Sequence, residues 1–184
     1  MNGKNGAKIT LKGTAREIAQ IAVFVALVIA SQFALSFVPG VEIVTLLFVA
    51  YAFTFGVRRG ILAATAFSLL RQIVFGFFPT VLILYLVYYN LLTVSFALLG
   101  KKVKSPLKSL WWLVIVACLC TVVFTLLDDV ITPLWYGFTK EAARAYFVSS
   151  LPVMFPQTIC TAVTVGTLFF PLYKVFSLIK RKAF

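Results

Sequence analysis

The stretch AFSLLRQIVFGFFPT, Ala66 to Thr80, sets a single arginine among residues that otherwise suit hydrocarbon. Leu69 and Leu70 precede Arg71, and Ile73, Val74 and Phe75 follow one residue later. Apolar runs of the same character recur along almost the whole chain of 184 residues, which is 62% hydrophobic with a mean hydropathy of +1.04. Runs long enough to cross a bilayer mark an integral membrane protein. Lipid offers backbone groups no partner, so such runs imply helices rather than barrel strands. The first run lacks a small-residue cleavage site after a short apolar core, and reads as a retained span rather than a signal peptide.

The fold class expected is therefore all-α: one six-transmembrane-helix bundle over residues 1–184, with spans at roughly 16–38, 42–56, 59–78, 80–99, 110–133 and 150–173. The second is short for a full crossing. An even number of spans puts both termini on one side. With the termini cytoplasmic, fourteen of the 17 cations fall inside, Lys140 and Arg144 fall outside, and Arg71 lies within a span. This asymmetry orients the protein by the positive-inside rule, so the net charge of +12 reads as topology and not as a nucleic-acid surface. The acids sort the other way: Glu17 is inside, whereas Glu42, Asp128, Asp129 and Glu141 lie at or near the outer face. The outer connection LWYGFTKEAARAYFVSS, Leu134 to Ser150, has the length and aromatic content of a lid holding a short helix capped by Thr139.

Arg71 follows Arg59 by twelve residues, about 18 Å along a helix, and so sits just outside the midplane of a core of about 30 Å. A central arginine costs at least about 2.5 kcal/mol on insertion scales, and needs a partner or a wet cavity. Asp128, Asp129 and Glu42 match it in depth. In the fifth span Thr121, Thr125, Asp128 and Thr132 recur at helical spacing on one face. Gln157, Thr161 and Thr164 form a similar stripe in the sixth. Tyr85, Tyr88 and Tyr89 share a face of the fourth, with Asn90 beside them. Together they outline an outward chamber for a small polar ligand, with Trp135 near its mouth. The plainer reading is structural: threonines bonded to backbone, tyrosines in packing, and Arg71 paired with an aspartate.

The first span carries a ladder of small residues, Ala15, Ala19, Ala22, Ala26 and Ala30, which gives another helix a smooth face to approach. Cys118, Cys120 and Cys160 fall in apolar spans with neither disulfide nor zinc spacing, and the chain has no histidine. No metal site, cofactor or catalytic centre is expected. Adjacent Asp128 and Asp129 diverge by about 100° on a helix and cannot share a metal easily. No P-loop is present, so any work driven by ATP must come from partners.

These features resemble the substrate-binding S component of an energy-coupling factor (ECF) vitamin transporter. The resemblance covers nearly the whole chain: its length, six spans, basic cytoplasmic ends, the alanine ladder, and the segment VPGVEIVTLLFVAYAFTFGVRRG, Val38 to Gly60, which is similar to the family's first loop and second helix. It implies a multi-pass protein of a prokaryotic cell membrane, without ATPase activity, that captures a vitamin or related micronutrient outside. The ladder would dock on a membrane coupling subunit attached to two cytoplasmic ATPases. The family's sites draw on the outer halves of helices four to six, which the stripes through Tyr85, Asp128 and Gln157 match more directly than Arg71 does. A second expectation is a scaffold subunit resembling the rod-shape determinant D of bacterial wall machinery, which accounts for size and hydrophobicity but leaves the outer polar stripes without a use.

Overall fold

The computed structural model describes residues 11–38, 43–103 and 106–183, and every element among them is helical. In chain order these are α1 (Leu11–Leu35), α2 (Val44–Phe55), α3 (Val57–Phe75), α4 (Pro79–Lys102), α5 (Leu110–Tyr136) and α6 (Lys140–Ala183). The all-helical class and the six elements agree with the sequence reading. Four helices, α1, α4, α5 and α6, are long and apolar enough to cross a membrane. The remaining two do not meet that standard. α2 has 12 residues, about 18 Å, against a core of about 30 Å. α3 carries Arg58, Arg59 and Arg71 within its 19 residues.

The chain breaks where its chemistry demands. Gly56 ends α2 with its N–H still donating to the Ala52 carbonyl at 2.9 Å, then takes φ 85°, a conformation closed to most side chains, and α3 begins at the next residue. Pro79 opens α4, where its missing N–H matters least. The Gln72 side chain lies across that junction and accepts the Phe78 N–H at 3.1 Å.

α2 is the centre of the bundle. All twelve of its side chains are buried, so it has no outward face. It packs chiefly against α4 and α6, with α3, α1 and α5 also touching it. Phe48 of α2 meets Phe24 of α1 at 5.4 Å, Phe67 of α3 at 5.2 Å and Tyr89 of α4 at 4.8 Å between ring centroids. Tyr51, one turn on, stacks on Phe24 at 3.9 Å. The outer helices reverse the pattern of a water-soluble fold. On α5 the buried positions are Leu113, Ala117, Thr121, Thr125, Asp129 and Pro133, while Leu119, Val123, Leu126, Val130 and Leu134 face outward. A helix with its polar groups inside and its leucines and valines outside is matched to a hydrocarbon surrounding.

Two ends can be told apart. At one, Arg59 of α3 pairs with Glu17 of α1 at 3.2 Å, and Lys180 of α6 donates to the Thr54 carbonyl of α2 at 2.6 Å. Lys101, Lys102, Arg181 and Lys182 close the helices there. Arg71, Asp128 and Asp129 are at the other end. Among the described residues the cations thus gather at this end, as expected, while Lys4, Lys8 and Lys104 lie outside the described residues.

The connection expected to form a lid is different. Gly137, left-handed at φ 63°, caps α5, and the Phe138 N–H donates to the Pro133 carbonyl at 3.0 Å. Thr139 does cap a helix, its hydroxyl accepting the Ala142 N–H at 3.3 Å. That helix is not short: it is α6, which runs 44 residues without interruption through Pro152, Pro156 and Pro171. Only residues 137–139 separate α5 from α6, so the stretch after Leu134 is a helical hairpin and not a loop. The sixth helix therefore starts ten residues before the expected span at 150.

Gly100 of α4 lies against α2, where an added Cβ would run into the Phe53 carbonyl and its neighbouring backbone. Gly100→Ala is expected to destabilise the protein by about 1–3 kcal/mol, the usual penalty of overpacking. Gly166→Ala, whose Cβ would have nothing nearer than Val114 Cγ2 at 3.9 Å, is expected to be neutral. Thermal unfolding in detergent compares the two, and equal midpoints would disprove the close α2–α4 approach.

Candidate functional site

The end opposite the paired Arg59 and Glu17 gathers polar side chains from five helices. Gln32 of α1 ties three of them together. Its Oε1 accepts from Arg71 Nε at 3.1 Å, and its Nε2 donates to the Tyr85 hydroxyl at 3.0 Å. The guanidinium lies over two rings, 4.6 Å from the Phe75 centroid and 4.5 Å from that of Tyr85. Such cation–π contacts are worth about 0.5–2 kcal/mol each and rise in value away from water. They hold the charge without neutralising it. Arg71 Nη1 is buried and has no hydrogen-bond partner.

Across the bundle, Asp128 and Asp129 are held by α6. Asp128 accepts from the Thr132 hydroxyl and the Tyr146 hydroxyl, both at 2.8 Å. Asp129 accepts from the Ser150 hydroxyl at 2.9 Å through Oδ2, whereas its Oδ1 is buried without a partner. Among the described residues no ion pair joins Arg71 to either aspartate, so the structural pairing allowed by the sequence is not made. Glu42, the third acid expected here, lies outside the described residues. The stripe on α5 also shifts by one position: Asp129 follows Thr121 and Thr125 into the interior, and Asp128 stays half-buried beside it.

Aromatic rings span the gap between the two groups. Tyr85, Tyr88 and Tyr89 are all buried on one face of α4, as their spacing requires. Phe124 of α5 packs against Tyr85 at 5.8 Å and Tyr88 at 4.8 Å, and Asp128 is one turn beyond Phe124 on the same helix. Tyr89 sits deeper, against Phe48 and Phe67. The tyrosines thus form both the floor of this end and the rim of the aromatic core.

The other expected residues divide between bridging and lying apart. Asn90 bridges α4 to α3, its amide within 3.4 Å of the Thr65 hydroxyl, and also donates to the Leu86 carbonyl at 2.7 Å. Thr161 is buried and shares a hydrogen bond of 3.0 Å with Thr121, joining α6 to α5. Thr125 is buried above that bond, and Gln157 is half-buried on α6 one turn away from Thr161. Trp135 is 54% exposed near the end of α5 and belongs to neither group. Many hydroxyls bond their own helix, among them Thr158 to the Met154 carbonyl and Thr164 to the Cys160 carbonyl, both at 2.8 Å. To that extent the plain packing reading of the threonines holds.

Sequence reasoning missed Gln32, Phe75, Phe124, Tyr146 and Ser150. Gln32 had a signal, being an amide inside an apolar run at the same depth as Arg71. The lid reading sets Tyr146 and Ser150 outside the bundle, although their spacing of four puts them on one face of the helix that Thr139 caps. Ala15, Ala19, Ala22, Ala26 and Ala30 are all exposed on α1, opposite the buried Ile21, Phe24, Val25 and Val28. The ladder is therefore an outer face of the bundle and not part of its internal packing. Cys118, Cys120 and Cys160 form no disulfide, and each is half-buried.

No family model, curated protein or solved structure matches the chain.

Because Asp129 keeps one partner, Ser150→Ala leaves both of its oxygens unsatisfied and is expected to destabilise the protein by about 1–3 kcal/mol. Tyr146→Phe leaves Asp128 its bond from Thr132 and is expected to cost less, about 0.5–1.5 kcal/mol. Unfolding midpoints of the two variants test this order, and the reverse order would refute the assignment of Asp129 as the less satisfied acid.

Proposed function

We propose that this protein is the substrate-binding subunit of an ECF-type importer in a prokaryotic cell membrane. It captures a small polar micronutrient, a vitamin or related compound, at the end that holds Arg71, and delivers it inward with a membrane coupling subunit and two cytoplasmic ATPases. In this reading the basic end is cytoplasmic, with both termini, and the end with Arg71 faces outward.

The observation that carries the reading is the pair of unmet polar atoms at one end of the bundle. Arg71 Nη1 is a buried cationic donor without an acceptor, and Asp129 Oδ1 is a buried acceptor without a donor. A buried group left unpaired costs about 1–3 kcal/mol, more when charged. Both groups persist in an interior where replacement by leucine would remove the penalty. A ligand supplying an acceptor to one and a donor to the other relieves both. The tyrosines and Phe124 between them supply ring faces, so a flat heterocycle bearing an acidic group and an N–H donor fits the chemistry.

The alanine ladder supports the second half of the proposal. Five small side chains on an exposed helix face let a partner helix approach the backbone closely, and the face is separate from the polar end. A scaffold would use such a face equally well, but would have no use for two charged groups that each leave a buried atom unmet.

Calorimetry of the purified protein against a panel of vitamins tests the capture step. A compound that binds wild type is expected to bind Arg71→Ala at least tenfold more weakly, about 1.4 kcal/mol, while assembly with partners is unaffected. Equal affinity would return Arg71 to a structural role. Conversely, Ala22→Leu and Ala26→Leu are expected to abolish uptake and partner assembly with ligand affinity unchanged. Normal assembly of both variants would remove the ladder from the docking surface.

A further inference from the structure

A groove of about 750 Å³ opens at the basic end, between α1, α2 and α6, and Arg71 does not line it. Its size lies within the range of about 300–1,000 Å³ common to ligand sites. The body of the groove is apolar, walled by Val23, Leu27, Leu47, Phe176 and Ile179. Arg16 and Lys182 line it at the basic end, both exposed, while the neighbouring acid Glu17 is already paired with Arg59. Two further wall residues carry unmet polar atoms: Tyr51, only 1% exposed, has a hydroxyl without a partner, and Gln20 has a buried Oε1 without a donor.

These features are ordered along the groove. On α1, Arg16 comes first, Gln20 one turn later, and Val23 and Leu27 beyond it. From Arg16 to Leu27 is eleven residues, about 16 Å, and from Lys182 back to Leu172 on α6 is ten residues, about 15 Å. Each equals about half of a hydrocarbon core of about 30 Å, which is the depth of one leaflet. Two cations at the surface, polar groups just below them and an apolar trough beneath reproduce the order of a glycerophospholipid: phosphate, glycerol backbone with its ester carbonyls, then acyl chain.

We propose that this groove binds one anionic phospholipid, of the phosphatidylglycerol class. The phosphate sits between the Arg16 guanidinium and the Lys182 ammonium. Below the phosphate, the Tyr51 hydroxyl donates to an ester carbonyl. One acyl chain lies along Val23, Leu27 and Phe176. Phosphatidylcholine has no net negative charge and would set its own cation beside Arg16 and Lys182, so the site discriminates against it. Ala19 belongs to the groove wall and to the alanine ladder, which places the lipid beside the face offered to a partner helix. The inference rests on the protein lying in a membrane and is independent of what Arg71 binds.

Native mass spectrometry of the delipidated full-length protein, re-exposed to equal amounts of phosphatidylglycerol and phosphatidylcholine, tests it. Wild type is expected to retain one phosphatidylglycerol with a preference of roughly tenfold. Arg16→Gln combined with Lys182→Gln is expected to abolish the preference, and Leu27→Trp, which fills the trough, to lower retention of either lipid. Lys101→Gln combined with Lys102→Gln, at the same end but outside the groove, is expected to keep the preference. Equal retention of the two lipids by wild type would overturn the proposal. So would a loss of preference in the Lys101/Lys102 variant as large as in the Arg16/Lys182 variant, which would reduce the effect to general surface charge. If Leu27→Trp blocks partner assembly and leaves lipid retention untouched, the occupant is a protein helix and the lipid assignment is wrong.

Discussion

A helix buried on every side has to be surrounded, and α2 is such a helix. None of its twelve residues, Val44 to Phe55, is charged, and all are enclosed. Its Phe48 and Tyr51 contact rings from α1, α3, α4 and α6, so the aromatic core is defined by what α2 presents. The other helices must supply an inward face to it and an outward face to hydrocarbon. α5 meets both demands with an interior row of alanine, threonine and aspartate and an exterior row of leucine and valine. The shortness of α2 also matters. At about 18 Å it leaves part of the bundle's length unfilled by a central helix. The basic end is closed around it by Lys180 and by the approach of Gly100 to Phe53. The polar groups collect at the end with Arg71.

Two sets of unmet polar atoms follow from this layout, and they differ in kind. At the end with Arg71, the atoms belong to ionisable groups held in place by neutral partners: Gln32 for Arg71, Ser150 for Asp129. Neutral hydrogen bonds orient a charge without neutralising it, which suits a site whose counter-charge arrives with a ligand. At the basic end, the atoms belong to an amide and a phenol at the edge of an apolar trough, with cations beyond. That order suits an amphipathic molecule taken from the surrounding lipid. The alanine ladder runs along α1 between the two, so one helix touches the end with Arg71, the groove at the basic end and the outer face at once.

Much of this was legible in the residues because charge in an apolar run has few explanations. Arg71, the aspartates and the facing of Tyr85, Tyr88 and Tyr89 all emerge from spacing alone, as does the cap at Thr139. What spacing does not record is which helices are neighbours. Gln32 matters because α1 lies against α3 and the amide reaches Tyr85 of α4, and Ser150 because α6 returns along α5 from a turn of only three residues. The stretch from Lys140 to Ser150 lacks the apolar density of a span and reads as a connection with only a short helix. Its alanines and the capping threonine favour helix, and packing against α5 lets that helix continue through three prolines. The placement of Asp129 rather than Asp128 on the buried face reflects a row of buried positions repeating every four residues, where the expected stripe stepped by three.

The central claim is that Arg71 and Asp129 await a ligand and are not merely a tolerated flaw in packing. It is tested most directly by purifying the wild-type protein gently, denaturing it, and identifying by mass spectrometry whatever small molecule is released. A single polar compound in stoichiometric amount, carrying both an acidic group and a hydrogen-bond donor, is the result expected. A protein that releases nothing, and whose Arg71→Leu variant is as stable as wild type or more so, would contradict the claim and leave the polar end without a function in binding.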